Sequence, residues 1–173
     1  MYKPSGQRDF HIRPIRPSDN AAVAAIIREV MTEFGAVGCG FSINDSEVDD
    51  MYGAYQGRGH AFYVVTIGGT VLGCAGIAPL SGGDADTCEL RKMYFLPRLR
   101  GRAAGSALMR QCLHAASAAG FRYCYLETTT GMRQARRLYQ RFGFADLDKP
   151  LGNTGHTGCG SWMLKTLDPA CPD

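Results

Sequence analysis

The segment Thr87–Leu113, TCELRKMYFLPRLRGRAAGSALMRQCL, constrains this chain more than any other. An apolar run that reads as a strand is ended by Pro97. Arg98, Arg100 and Arg102 follow within five positions, and Ala103, Ala104, Gly105 and Ser106 then open an Ala-rich helix. The first turn of a helix leaves backbone N–H groups unpaired and carries partial positive charge. Small residues let an anion approach that backbone closely, and arginine adds bidentate charge pairing. RGRAAGS therefore reads as a pyrophosphate cradle. It lacks the G-K-[ST] ending of a Walker loop and the G-x-G-x-x-G spacing of a dinucleotide loop. On this segment alone, a solvated basic turn at the start of a helix competes evenly with the cradle.

The rest of the chain places that segment in a mixed α/β order. FHIRPIR (Phe10 to Arg16) alternates as a strand, with Pro14 and Pro17 marking an edge or an end. PSDNAAVAAIIREVMTEFG predicts a helix capped by Ser18 or Asp19, with Val23, Ile26, Ile27, Val30, Met31 and Phe34 on its apolar face. AVGCGFSIND is a Gly-rich loop, and DSEVDDMYGAYQ predicts a short helix capped by Asp45 or Ser46. HAFYVVTIGGTVLGCAGIAPL predicts a hairpin turning at Gly68-Gly69. TCELRKMYFLP is a strand, and a helix follows over about Ala103–Ala119 with Ala107, Leu108, Met109, Cys112, Leu113 and Ala116 inward. FRYCYLETT is a strand, MRQARRLYQRFG a helix stopped by Gly143, and FADLDKP and CGSWMLKTL are final strands around the loop LGNTGHTG. The 173 residues suit one domain, 1–173, with a core of its own.

Composition excludes several classes. Lys+Arg 19 against Asp+Glu 16 gives net charge +3, too balanced to argue for nucleic acid or a membrane surface. The seven cysteines form no C-x-x-C pair, and several sit in apolar runs. They read as buried thiols in a reducing compartment, with no disulfide framework and no metal site. MYKPSGQRDFHIRPIR has no apolar signal core, and no run is apolar enough to span a bilayer. The expected location is cytoplasmic.

The helix-entry segment resembles the acetyl-CoA loop of the GNAT acetyltransferase superfamily, (Arg/Gln)-x-x-Gly-x-(Gly/Ala). Arg100 fills the first position and Gly105 the last, and Ala103 stands where the middle Gly is expected. GFRYCYLETTTGMRQARRLYQRFGF resembles the same family's fifth strand, fourth helix and start of the sixth strand, with the A-x-x-L-Y-x-x-x-G-F run at Ala135, Leu138, Tyr139, Gly143 and Phe144. HIRPIRPSDNAAVAAIIREV resembles its first strand and helix. The likeness covers most of the chain and is most specific over Glu89–Phe144.

That resemblance implies a single mixed, mostly antiparallel sheet of six to seven strands flanked by about four helices, with strands 4 and 5 splayed to hold CoA. It implies acetyl transfer from acetyl-CoA to a primary amine of a small molecule or peptide. The cosubstrate would lie along Met93, Tyr94 and Phe95, where the fourth strand bulges, and on Arg100, Gly101, Arg102, Ala103, Ala104, Gly105 and Ser106. Ala103, read as helical, would crowd the pyrophosphate slightly. Tyr139 stands where the family has its general acid, since a phenol can protonate a departing thiolate. Glu89 is the candidate base, on one face with Arg91 and Met93 by strand alternation, and Glu127 is a weaker rival. Met132 replaces an Asn that usually contacts CoA, a contact Thr129 or Thr130 could supply. His11, His60, His114 and His156 are scattered and read as surface or packing residues. Homodimers are common in the resembled family, though no segment here specifies an interface.

The acceptor pocket would form from TEFGAVGCGFSINDSEVDDMYGAY, which carries Glu33, Asp45, Glu47, Asp49 and Asp50, with Phe34, Phe41 and Tyr52 as an apolar wall. Carboxylates beside a pocket favour a cationic amine, although most of these read as a solvated helix face. LGNTGHTGCG would close the other side. Two other classes stand beside the enzyme. A catalytically silent acyl-CoA-binding regulatory module would keep the cradle and lose Tyr139 and Glu89. A nucleic-acid binder would use the Arg-rich segments 98–102 and 133–141, against which stand the low net charge and the lack of interleaved aromatics.

Overall fold

A computed structural model describes residues 9–168. Cys171 and the first eight residues lie outside the described residues. Seven strands form one sheet in the order β1-β2-β3-β4-β5-β7-β6. They are β1 (His11–Pro14), β2 (Ala61–Ile67), β3 (Thr70–Pro79), β4 (Thr87–Phe95), β5 (Tyr123–Thr128), β6 (Ala145–Leu147) and β7 (Ser161–Thr166). Among the described residues only the β4–β5 pair is parallel; every other pairing is antiparallel. The helices are α1 (Asn20–Glu33), α2 (Met51–Ala54), α3 (Ala104–Ala118) and α4 (Arg133–Arg141).

The order of elements is as expected from the sequence, and the hairpin turns where Gly68 and Gly69 take φ of 56° and 82°. β1 is an edge strand, which suits Pro14 at its end, and Pro17 opens the 3-10 turn that follows. The sheet separates two apolar layers. On one side Leu108, Met109, Cys112 and Ala116 of α3 pack on Leu72, Ile77, Cys88, Leu90, Cys124 and Leu126. On the other, Val23, Ile26, Ile27, Val30 and Met31 of α1 pack with Val48, Met51, Val64 and Cys74. Cys74, Cys88, Cys112 and Cys124 are buried free thiols, whereas Cys39 is exposed. No helix among the described residues is long and apolar enough to cross a membrane.

Three local expectations give way to side-chain chemistry. Asp19 precedes α1 but makes no cap hydrogen bond; it accepts from both terminal nitrogens of Arg13 at 2.7 and 2.9 Å and from the Arg16 amide at 2.8 Å. Asp45 likewise caps nothing. Its segment is a 3-10 turn over Ser46–Asp50, and it is Asp50 that accepts the Gly53 amide at 3.0 Å to start the single turn of α2. Phe34 lies past the end of α1, 41% exposed, beneath the Arg100 guanidinium.

Two irregularities of β4 prepare the site. Its parallel pairing with β5 ends at Glu89↔Tyr125, so the β5-facing edge of the rest of β4 has no strand partner. Against β3, the register passes from Gly76↔Arg91 to Cys74↔Tyr94, so one β3 residue faces two residues of β4, Lys92 and Met93. This is a bulge, and Lys92 sits in it at φ 55°. The Lys92 carbonyl accepts the Cys74 thiol at 3.3 Å. The extra residue resets the alternation: Glu89 and Arg91 face the α1–α2 side, as expected, but Met93 packs into the opposite layer with Phe95. Lys92 follows Arg91 onto the α1–α2 side, where it meets Asp45.

Candidate active site

The gap between β4 and β5 opens into a groove of about 1240 Å³. The end of β4 (Met93, Tyr94, Phe95), the loop and first turn of α3, and α4 line it. Of the expected cradle, Arg100, Gly101, Ala103, Ala104, Gly105 and Ser106 all line the groove. Gly105 permits a close helix–helix approach, since a Cβ there would meet Leu138 of α4 at 3.3 Å.

The arginines behave differently from one another. Arg100 holds Glu33 through both terminal nitrogens at 2.6 Å and donates from Nε to the Phe95 carbonyl at 2.9 Å. It thus ties the end of α1 to the loop. Arg102 pairs with Asp9 and donates to the Arg98 carbonyl, and it does not line the groove. Arg133, Arg137 and Arg141, one helical turn apart along α4, do line it, and none has an ion-pair partner among the described residues. Their i, i+4, i+8 spacing was the available signal, and the sequence reading weighed it only as a nucleic-acid feature. Ala103 is not helical. It precedes α3 at φ 60°, a left-handed conformation that costs a residue with a Cβ about 1–2 kcal/mol. This is the physical reason for a glycine at that position, and Ala103 bears the strain.

Past the tip of the groove lies a smaller pocket of about 50 Å³, and Met93, Tyr94, Met132 and Tyr139 border both spaces. Tyr139 is buried, edge-on to Phe144 with centroids 6.1 Å apart. Burial, and next the neighbouring Tyr94, push its phenol above the usual tyrosine range, so it stays protonated. Met132 accepts the Thr128 hydroxyl at 3.7 Å, and Thr129 lines the pocket.

The small pocket is polar at its base. Glu89 is 4% exposed, and burial pushes its carboxyl up to about 7, with Glu127 adding to the rise and Arg91 and His156 opposing it. Glu127 Oε1 accepts from the Tyr125 hydroxyl at 2.7 Å and the Thr154 hydroxyl at 3.0 Å. His156, from the loop between β6 and β7, hydrogen-bonds Asp45 through Nε2 at 3.1 Å and brings Nδ1 to 3.6 Å from Glu127 Oε2. Asp45 also takes Lys92, whose Nζ reaches the Ser42 carbonyl at 3.1 Å as well. Burial raises the Asp45 carboxyl, but the His156 hydrogen bond and Lys92 outweigh it and hold the group ionised below its ordinary value. Arg91 spans Glu47 at 3.2 Å and Glu89 at 3.4 Å. Burial, then the surrounding carboxylates, push the Cys159 thiol up to about 12, which leaves no thiolate to serve as a nucleophile.

His156 is thus a site residue that the sequence reading set aside; isolated in a Gly-rich loop, it carried no spacing signal. Of the five acidic residues singled out before the hairpin, Asp45 and Glu47 turn inward, whereas Glu33, Asp49 and Asp50 pair with Arg100, Arg28 and Asn20. Phe41 lines the small pocket and Phe34 the groove; Tyr52 lines neither. The loop carrying His156 closes against Phe41, with the Gly158 amide on the Gly40 carbonyl at 2.9 Å.

Residues 24–144 match the Acetyltransferase (GNAT) family. The chain belongs to that family. It is 42% identical over 157 residues, 90% of its own length and 94% of the relative's, to the N-acetyltransferase YjgM of Escherichia coli. Among solved structures, a GNAT-family acetyltransferase from Staphylococcus aureus Mu50 shares the fold with a TM-score of 0.79 at 17% identity, over 92% of this chain and 99% of that one. A GNAT acetyltransferase from Brucella melitensis, solved with acetyl-CoA, does so with a TM-score of 0.66 at 23% identity, over 96% and 94%. As a member of this acetyltransferase family, the protein is an acyltransferase.

Proposed function

We propose that residues 1–173 act as a single cytoplasmic N-acetyltransferase domain that moves the acetyl group of acetyl-CoA directly to a primary amine. One observation carries this reading: the groove that a parted β4 and β5 leave open ends at Tyr139, and the pocket just beyond holds Glu89. The Brucella acetyltransferase of the same fold was solved in complex with acetyl-CoA, which supports acetyl-CoA as the acyl donor here.

The residues divide the work as follows. The pantetheine arm carries amides, which pair with the free edge of β4 along Met93, Tyr94 and Phe95. The pyrophosphate lies on the backbone around Ala103–Ser106, with Arg133, Arg137 and Arg141 across the groove to offset phosphate charge. Arg100 shapes the loop from its pair with Glu33. The amine arrives as an ammonium, whose proton passes to Glu89, the base. The neutral nitrogen attacks the thioester carbonyl, the C–S bond breaks as the C–N bond is completed, and Tyr139 donates its proton to the departing thiolate. The second proton lost by the nitrogen restores the Tyr139 phenol, and Glu89 releases its proton to solvent, so one proton leaves per turnover and both residues return to their starting states. With the Cys159 thiol protonated, no acyl-enzyme step is required.

Calorimetric titration with acetyl-CoA, free CoA and ATP tests the cosubstrate, and thiol release with a panel of primary amines tests turnover. Micromolar acetyl-CoA binding with weak ATP binding and amine-dependent thiol release is the expected result. Binding without release from any amine would favour the silent acyl-CoA-binding module instead.

A further inference from the structure

Residues 151–160, LGNTGHTGCG, bring His156 and Cys159 into the lining of the small pocket. Four of these ten residues are glycine, so a fixed course costs this loop much backbone entropy. Contacts from outside hold it. The Asn153 amide donates to the Ser81 carbonyl at 2.7 Å and the Gly158 amide to the Gly40 carbonyl at 2.9 Å, and both of these acceptors lie in other loops. His156 meets Asp45, which sits between two 3-10 turns.

Among the described residues, the loop's hydrogen bonds to the sheet converge on one carboxylate. Tyr125 and Glu127, two residues apart on β5, face the same side, opposite Leu126. Glu127 Oε1 accepts the Tyr125 hydroxyl at 2.7 Å and the Thr154 hydroxyl at 3.0 Å. The Tyr125 oxygen in turn accepts the Leu151 amide at 3.3 Å, and the Thr154 oxygen accepts the His156 amide at 3.2 Å. Two hydrogen-bond chains therefore run from one oxygen to the loop backbone on either side of Thr154. The Glu127 side chain is 4% exposed, so water competes little for that oxygen.

We infer that Glu127 anchors the β6–β7 loop: it is a positioning residue that fixes the wall of the acceptor pocket through Tyr125 and Thr154, and not a base. Its effect on turnover rests on the acetyltransferase reading above, whereas the anchor is a property of the free protein. An oxygen that already accepts two hydroxyl protons has its lone pairs directed at the loop rather than at a substrate.

Amide hydrogen exchange on the full chain tests the anchor. The reporters are the Asn153 and Gly158 amides, whose own acceptors, Ser81 and Gly40, no variant touches. Glu127→Ala should speed their exchange about tenfold or more. Thr154→Val, which removes one of the two donors, should act in the same direction and serves if Glu127→Ala fails to fold. Glu127→Gln keeps an acceptor oxygen and should restore slow exchange. Thiol release at saturating acetyl-CoA, well above the Glu89 limb and with the primary amine of the panel that reacts fastest, reads the consequence. Glu127→Ala should raise the amine KM about tenfold or more with kcat little changed, and Glu127→Gln should return both close to wild type. Unchanged exchange in Glu127→Ala, or exchange as fast in Glu127→Gln, would overturn the anchor. So would a loss of kcat in Glu127→Gln as complete as in Glu89→Gln, which would make Glu127 a base. A wild-type protein that releases no thiol with any amine sinks the acetyltransferase reading and leaves exchange to decide the anchor. Glu127 lies outside the lining of the groove, so retained acetyl-CoA affinity reports that the variants fold.

Discussion

Arg100 grips Glu33 through both terminal nitrogens at 2.6 Å and lies over the Phe34 ring, so this cation of the loop before α3 is already engaged by the end of α1. The unpaired positive charge of the groove is on α4 instead. Replacing Arg133, Arg137 and Arg141 together with Ala should weaken acetyl-CoA about tenfold or more, with a reduced salt dependence. Arg102→Ala should leave that affinity unchanged, because Arg102 is turned onto Asp9. Calorimetry at two ionic strengths reads both, and equal losses in the two variants would return the phosphate role to the loop arginines.

Ala103 offers a test in the opposite direction. Glycine has no Cβ to strain at φ 60°, so Ala103→Gly should stabilise the fold by about 0.5–1 kcal/mol, partly offset by the freer unfolded chain. A Tm raised by roughly 1–4 °C and acetyl-CoA affinity equal or better are the expected outcomes. A lower Tm would mean that the left-handed turn bears no strain.

Tyr139→Phe retains the ring on Phe144 and removes only the hydroxyl. Turnover should fall about a hundredfold or more while acetyl-CoA affinity holds, the pattern of a lost proton donor. An unchanged kcat would leave Tyr139 as packing.

Glu89 links pH to both rate and stability. As the proposed base it must be ionised, so turnover should rise through pH of about 7 and level off above it, and Glu89→Gln should abolish that limb. The groups facing it are Arg91 and Lys92 on β4, Glu127 on β5 and His156 on the β6–β7 loop, and each can displace the midpoint. Stability runs the other way. A carboxyl ordinarily near 4.5 but near 7 when folded keeps its proton while the unfolded chain loses it, so stability falls as pH rises between those values and is flat above. Glu89→Gln removes this cost, and its advantage in Tm should grow from pH 4.5 to 7, worth on the order of 1–3 kcal/mol. A pH-independent difference would contradict the burial of the charge.

The sequence disclosed what depends on neighbours in the chain. Hydrophobic period, Gly68-Gly69 and the Pro97-to-Ser106 transition gave the element order, and the two separated motifs led to Tyr139, Glu89 and the loop. Long-range pairings stayed hidden. Asp45 read as a cap because caps are local, whereas its partners Lys92 and His156 lie 47 and 111 residues away. Alternation placed Met93 with Glu89 because a single-residue bulge leaves no trace in a two-residue period. His156 was invisible because a histidine among glycines acquires meaning only when the loop folds over Glu127.

The parting of β4 from β5 has a consequence for survival in a crowded cell. An unpaired strand edge at the margin of a sheet is a template on which another chain can add. Here the bare stretch of β4 lies inside the sheet, walled by α3 and α4, and its approach is a slot rather than a rim. Another sheet cannot pair with it edge to edge without first passing between α3 and α4. The fold thus keeps a row of unpaired backbone groups open to a ligand without displaying them at the margin of the sheet.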